Sequence, residues 1–391
     1  MRSPALSADR PATRWATRLA FWVSGFGMAC WAPLVPFAKQ RLGVDDTTLG
    51  LLLLCLGLGS VAAMPVAGRL CVRHGSRPLV LGCGLGLAWV LPGLSLASSP
   101  WALGGVLVLF GALLGAMDVA MNVHAVAVEQ AAGRPLMSGF HGCFSVGGFA
   151  GAGLMTLLLS HGWPAPGATL GCAALMALGI ALAWPRLLRG VQGAEADEVD
   201  APGPGFALPR GVVLLLACLA AISFLAEGAM LDWGALWLTE SGLAASAQGG
   251  LGFIGFSLAM TLGRFGGDAL TARIGDRRTL QAGGLLAFAG LVLLLSAPVL
   301  VLALAGFVLI GLGASNVVPV LFRRAGAQPQ MPPALAIAAV TTLGYAGILL
   351  GPALIGWVSG ALGLRVAFGL LALLLLALPL SARAATLSGT R

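Results

Sequence analysis

Residues 68–77 read GRLCVRHGSR and residues 268–277 read DALTARIGDR, so Arg73, Gly75 and Arg77 return as Arg273, Gly275 and Arg277 at a separation of 200 residues. Each decapeptide is basic and broken by glycine, and each lies between two long apolar runs. A short polar break of this kind is a turn at the aqueous edge of a membrane, and its return half a chain later marks an internal repeat.

Outward from these two breaks the chain is almost wholly apolar. A membrane-crossing helix needs about 20 largely apolar residues. That template fits twelve segments: 15–37, 48–67, 78–97, 101–127, 137–160, 166–185, 209–238, 247–270, 279–297, 299–322, 334–358 and 361–381. The expected fold is therefore an all-α membrane protein of twelve transmembrane helices. Of the 391 residues, 58% are hydrophobic and 9% charged, whereas soluble domains carry about 25% charged residues. With a mean hydropathy of +0.96, a soluble globular fold is excluded. The first segment follows Arg2, Arg10, Arg14 and Arg18 but has no small-residue cleavage site after a short apolar core, so it is expected to be a retained span rather than a signal peptide.

The only long polar stretch, RLLRGVQGAEADEVDAPGPGFALPR at 186–210, mixes acids with a Pro/Gly cluster and has the composition of a flexible linker. It divides the chain into residues 1–185, a linker over 186–208, and residues 209–391, with six spans on either side. Placing the N-terminus in the cytoplasm puts 19 of the 22 basic residues inside, Arg264 among them, and only Lys39, Arg41 and Arg365 outside. The positive-inside rule then sets both termini in the cytoplasm, in an inner (plasma) membrane. The net charge of +8 is spread between the spans instead of forming one basic face, which argues against nucleic acid as a partner. The 7 cysteines include no C-x-x-C pair and are expected to be packing residues, with no metal site and no cofactor.

Twelve spans, a six-plus-six repeat, a central linker and a G-x-x-x-D-R-x-G-R-R-like segment after the second span together resemble the major facilitator superfamily. In the motif Gly68, Arg73, Gly75 and Arg77 match, whereas Val72 stands at the acidic position and Ser76 at a basic one. The family's acid helps to lock the two halves; in the second half Arg264 and Asp268, four residues apart, are the candidates for an equivalent pair, beside Arg273 and Gly275. Gly115, Asp118 and Asn122 look like the G-x-x-[DE]-x-x-x-N pattern of fucose-permease-like proton symporters, and the wider text is similar to the YbjJ-type subgroup. The resemblance implies secondary active transport by alternating access, around a site near the middle of the bilayer.

The residues that carry chemistry lie mainly in GAMDVAMNVHAVAVEQAAGRPLMSGFHGCFSVGGFAG, Gly115–Gly151. An ionisable group inside a membrane span is functional by default. Asp118 and Asn122 are one helical turn apart and share a face, with Asp118 expected about 12–15 Å from the cytoplasmic helix end. An acid that is charged when it faces water and neutral during the crossing is what proton-coupled transport needs. His141 and Ser145, on the next span at a similar depth, are candidate partners, His141 as a relay or as an orienting group. His124 and Glu129 are expected nearer the aqueous edge.

In the seventh span, FLAEGAMLDWGALWLTE (224–240), Glu227 is the candidate for the cavity and for proton coupling, with Asp232 toward the mouth. Most tryptophans, such as Trp15, Trp101, Trp163, Trp184 and Trp357, fall near span ends and are expected as interfacial anchors; Trp22, Trp31 and Trp233 are candidate apolar walls or stacking platforms for a sugar. The expected solute is small and neutral or weakly polar, moved inward with protons by a monomer. Proton-driven efflux and a non-transporting sensor are the alternatives. No catalytic motif is complete: Ser145 lies one residue short of a G-x-S-x-G frame and there is no H-E-x-x-H.

Overall fold

The computed structural model describes residues 11–44, 46–188, 209–244 and 250–386. The acidic linker expected over 186–208 lies almost entirely outside the described residues, as do Arg2 and Arg10. The described residues are helical throughout, without a strand: α1 Pro11–Cys30, α2 Val35–Leu42, α3 Asp46–His74, α4 Ser76–Leu96, α5 Pro100–Ala132, α6 Met137–Ser160, α7 Ala165–Ala183, α8 Gly211–Glu240, α9 Leu251–Ser296, α10 Leu300–Ala314, α11 Val317–Ala327, α12 Pro333–Leu362, α13 Leu364–Leu375 and α14 Ala377–Thr386. Among them 11 helical segments are long and apolar enough to cross a membrane. Where lipid offers no hydrogen bonds, a helix satisfies its backbone internally, and apolar composition translates directly into this fold.

One expected pair of spans is fused. α9 runs for 46 residues, about 69 Å at 1.5 Å per residue, more than twice a hydrocarbon core of about 30 Å. Gly275 interrupts it with φ 81° and ψ 161°, a conformation open to glycine. Gly75 has φ 77° and ψ 168° between α3 and α4. The repeated decapeptides are therefore not loops: helix runs through each of them up to a single left-handed residue and resumes at once.

The described residues form two compact units, 11–133 with 140–188 and 331–338, and 134–139 with 209–330 and 339–386. Inside each unit the helices touch backbone to backbone. A Cβ on Gly111 would strike the Leu56 carbonyl, and one on Gly311 would strike the Phe256 carbonyl; Gly147 meets the Trp22 carbonyl and Gly347 that of Ala221. The equivalent contacts recur 199–200 residues apart in the two units. Without a hydrophobic driving force between helices in lipid, such close approach supplies the dispersion contacts that hold each unit together. Ser60 Oγ adds a hydrogen bond of 2.8 Å to the Gly111 carbonyl, tying α3 to α5.

Within the second unit the span Leu300–Ala327 is broken at Ser315 and Asn316. Pro319 explains the break. It lacks the N–H that would bond back four residues to the Ser315 carbonyl.

Candidate functional site

In the first unit the site is built on α5. Asp118 is 7% exposed and Asn122 0% exposed, and the amide of Asn122 donates to the Asp118 carbonyl at 2.9 Å and to its carboxylate at 3.4 Å. The four-residue spacing makes this contact, because successive turns stack the two side chains. Asn122 Oδ1 is buried without a hydrogen-bond partner. α5 continues to Ala132, five residues past the expected boundary. Asp118 therefore lies about 21 Å from the C-terminal end of its helix, deeper than the sequence alone indicated.

His141 opens the second turn of α6. Its ring sits edge-on to Phe21 of α1, centroids 5.3 Å apart, and Ser145 Oγ donates to the His141 carbonyl at 3.3 Å. Trp22 stacks on Phe26 at 4.8 Å, so one face of its indole is already occupied. Trp31 is buried, its indole nitrogen without a hydrogen-bond partner.

His124, expected at the aqueous edge, is buried at 1% exposure. Its Nε2 accepts from the Leu188 backbone N–H at 3.0 Å and its Nδ1 lies 3.2 Å from Thr17 Oγ1. The first contact fixes the tautomer: Nε2 must carry the lone pair, so the neutral ring donates from Nδ1 to Thr17, whose own hydroxyl donates to the Thr13 carbonyl at 2.8 Å. Glu129 is buried as well. Arg77 covers Trp184, its guanidinium 3.9 Å from the ring centroid and donating to the Trp184 carbonyl at 3.1 and 3.3 Å. Trp184 is thus the platform for an arginine, while Trp15, Trp101, Trp163 and Trp357 are exposed as interfacial anchors would be. Gly68 packs on Ala334 and Ala338, and Arg73 is exposed.

In the second unit Arg264, counted above among the cytoplasmic charges, sits in the middle of the Leu251–Gly275 half of α9 at 7% exposure. Its NH2 lies 3.9 Å from Glu227 Oε2 on α8. Asp268, one turn further along, accepts from the backbone N–H groups of Ser138 at 2.9 Å and Gly139 at 2.8 Å, capping the first turn of α6 where the helix dipole favours an anion. Asp232 is exposed, and Trp233 is partly buried against Gly356. Arg273 is exposed; beyond Gly275, Asp276 binds Arg323 at 2.6 Å and approaches Arg324 at 4.0 Å.

Among the features that escaped the sequence are the His124 anchor, the Glu227–Arg264 contact, the Asp268 cap, the Asp276 pair and, last, the helix break at Asn316, whose amide donates to the Gly263 carbonyl at 3.1 Å. Only the last had a usable signal, a proline inside an apolar run. The Cys30 thiol, at the end of α1, donates to the Gly151 carbonyl of α6 at 3.7 Å. Among the described residues no three His, Cys, Asp or Glu side chains gather as metal ligands would.

A sequence profile described as Major Facilitator Superfamily matches residues 18–328. An uncharacterised MFS-type transporter of Yersinia pestis is 48% identical over 371 residues, covering 95% of each chain. Among solved structures, the transporter FucP in its outward conformation superposes with a TM-score of 0.79 at 15% identity, covering 98% of this chain and 100% of that one. A variant of the E. coli fucose:proton symporter FucP gives a TM-score of 0.69 at 15% identity, covering 96% and 98%.

Proposed function

The chain belongs to the major facilitator superfamily, and on that premise we propose that it is a proton-coupled secondary active transporter that takes up a small polar solute by alternating access. The observation that carries this proposal is the buried Asp118 carboxylate in mid-span, held by Asn122. An ionisable group so placed is expensive in lipid unless it serves an ion or solute pathway. The break of α9 at Gly275 supports twelve spans, the two parts of α9 each being long enough to cross the bilayer. The distribution of arginine supports cytoplasmic termini and an inner-membrane location. In this proposal Asp118 takes the proton, Asn122 orients it and His141 stands by as a relay, while Glu227 is the second titrating acid. Asp268, with Gly68 and the Arg73–Arg77 segment, belongs to the gating elements.

The experiment is uptake into proteoliposomes across a solute panel, with and without an imposed pH gradient. Asp118→Asn is expected to abolish accumulation driven by the gradient while solute-induced counterflow survives. Normal accumulation by that variant would remove Asp118 from the coupling role.

A further inference from the structure

A groove of about 830 Å³ opens on the surface of the first unit between α4, α5 and α7. Its size falls within the roughly 300–1,000 Å³ of sites that hold small molecules. Small residues create it. Gly93 of α4 and Ala173, Ala174 and Ala177 of α7 leave unfilled a space beside Trp89, which is 78% exposed, and the exposed Leu170. The lining carries no charged or hydroxyl side chain. A void with such walls forfeits dispersion contacts until an apolar chain enters it.

Length and depth say what kind of chain fits. On α4 the groove runs from Leu85 to Leu96, about 16 Å at 1.5 Å per residue. That is one leaflet of a hydrocarbon core about 30 Å thick. Leu96 is the last residue of α4, while Pro100 and Ala165 start α5 and α7, so one end of the groove lies at the polar edge and the other near the middle of the bilayer. Trp101 and Trp163, both exposed, mark the headgroup level at that edge. In the orientation proposed above, this is the outer leaflet.

A cation stands at the same edge. Arg41, at the end of α2, donates from Nε to the Ala97 carbonyl at 3.1 Å and from NH2 to the Leu94 carbonyl at 2.9 Å. In sequence these two carbonyls bracket Leu96 of the groove. They are neutral acceptors that fix the guanidinium in place, and its third nitrogen, NH1, takes part in neither bond. Arg41 is exposed, and among the described residues no carboxylate lies within ion-pair distance of it. A planar guanidinium matches the oxygens of a phosphate group.

We propose that the groove binds one glycerophospholipid of net negative charge, with an acyl chain lying along α4 from Leu96 to Leu85 and the phosphodiester meeting Arg41. The chain supplies the contacts that the small residues of α4 and α7 leave unmade, and the headgroup supplies the anion. The match in length to a single leaflet and the cation at the headgroup end favour a lipid over a second copy of this chain. The proposal requires only that the protein spans a bilayer, and is independent of its solute and of proton coupling.

The test uses the full-length protein, stripped of lipid in detergent. Phosphatidylglycerol and phosphatidylethanolamine with the same acyl chains are added singly, and bound lipid is counted by native mass spectrometry. The protein is expected to retain one phosphatidylglycerol, at a concentration about fivefold below that needed for phosphatidylethanolamine, as one arginine near a membrane surface provides. Arg41→Gln, which keeps a donor for the carbonyls but loses the charge, should erase that difference. Ala174 is exposed, so Ala174→Phe fills the groove without displacing a buried neighbour and should weaken the binding of both lipids. Ala177→Leu fills the same space with a smaller change, and should do so too if the larger one disturbs folding. Ala181→Phe, seven residues along the same face of α7 and outside the groove, should bind as the unaltered protein does.

Undiminished lipid binding in both groove-filling variants, equal affinity of the unaltered protein for the two lipids, or a preference that survives Arg41→Gln would each overturn the proposal. So would a dimer that forms when lipid is removed and is lost in Ala174→Phe, because the groove would then belong to a second copy of the chain.

Discussion

The Glu227–Arg264 pair can be measured as an energy. At 3.9 Å two unit charges attract by about 4 kcal/mol at an effective dielectric of about 20. Removing one partner takes a counter-charge away from a buried ion, a loss of about 3–5 kcal/mol for either Arg264→Gln or Glu227→Gln. Removing both replaces two buried ions by two neutral amides, which can be close to neutral in stability. A double-mutant cycle read by equilibrium unfolding in mixed SDS and dodecylmaltoside micelles should therefore return a coupling energy of several kcal/mol. Because the pair is buried, raising the salt from 0.05 to 0.5 M should leave that coupling in place, whereas an exposed pair would be screened at a Debye length near 10 Å or less (about 0.1 M and above). Single-variant losses that add to within about 0.5 kcal/mol would refute the pairing.

Two further outcomes follow from packing. Gly111→Val drives a side chain into the Leu56 carbonyl and should cost about 1–3 kcal/mol, seen as a lower Tm; Gly105→Val, with nothing within 4 Å of a Cβ there, is the matched control and should change little. His124→Phe keeps an aromatic ring but loses the acceptor for the Leu188 N–H and the contact with Thr17. It should cost about 1–3 kcal/mol for the stranded groups and accelerate hydrogen exchange in a peptide covering Trp184–Leu188, an acceleration that a purely global destabilisation would spread over the whole first unit.

Hydropathy made the helices legible because lipid forces backbone polar groups into helices, so composition alone decides the secondary structure. The four-residue spacing of Asp118 and Asn122 made their contact legible for the same geometric reason. Depth was harder to read. Apolar-run boundaries ended the helix of Asp118 near residue 127, whereas α5 continues to Ala132; His124 and Glu129 are buried, His124 against Thr17 and the Leu188 N–H, contacts that hydropathy does not encode. Arg264 falls inside the apolar run 247–270, and only the tertiary structure shows that it is buried and approached by Glu227 of α8. The contact of Asp268 with Ser138 and Gly139 spans about 130 positions of sequence, and no local pattern encodes it.

Gly75 and Gly275 leave the chain no slack. In an ordinary loop an added residue bulges into water and the elements on either side keep their orientation. Here the 21 residues of α4, Ser76–Leu96, follow directly on one left-handed glycine, as does the second part of α9 after Gly275. Inserting or deleting one residue at either elbow would rotate every following side chain by about 100° around its helix, turning core-facing residues such as Leu87 and Leu91, both fully buried, toward the acyl chains. The sequence length between the second and third helices of each unit is in this sense a fixed mechanical dimension, and drift in that length is closed to the protein at both places at once.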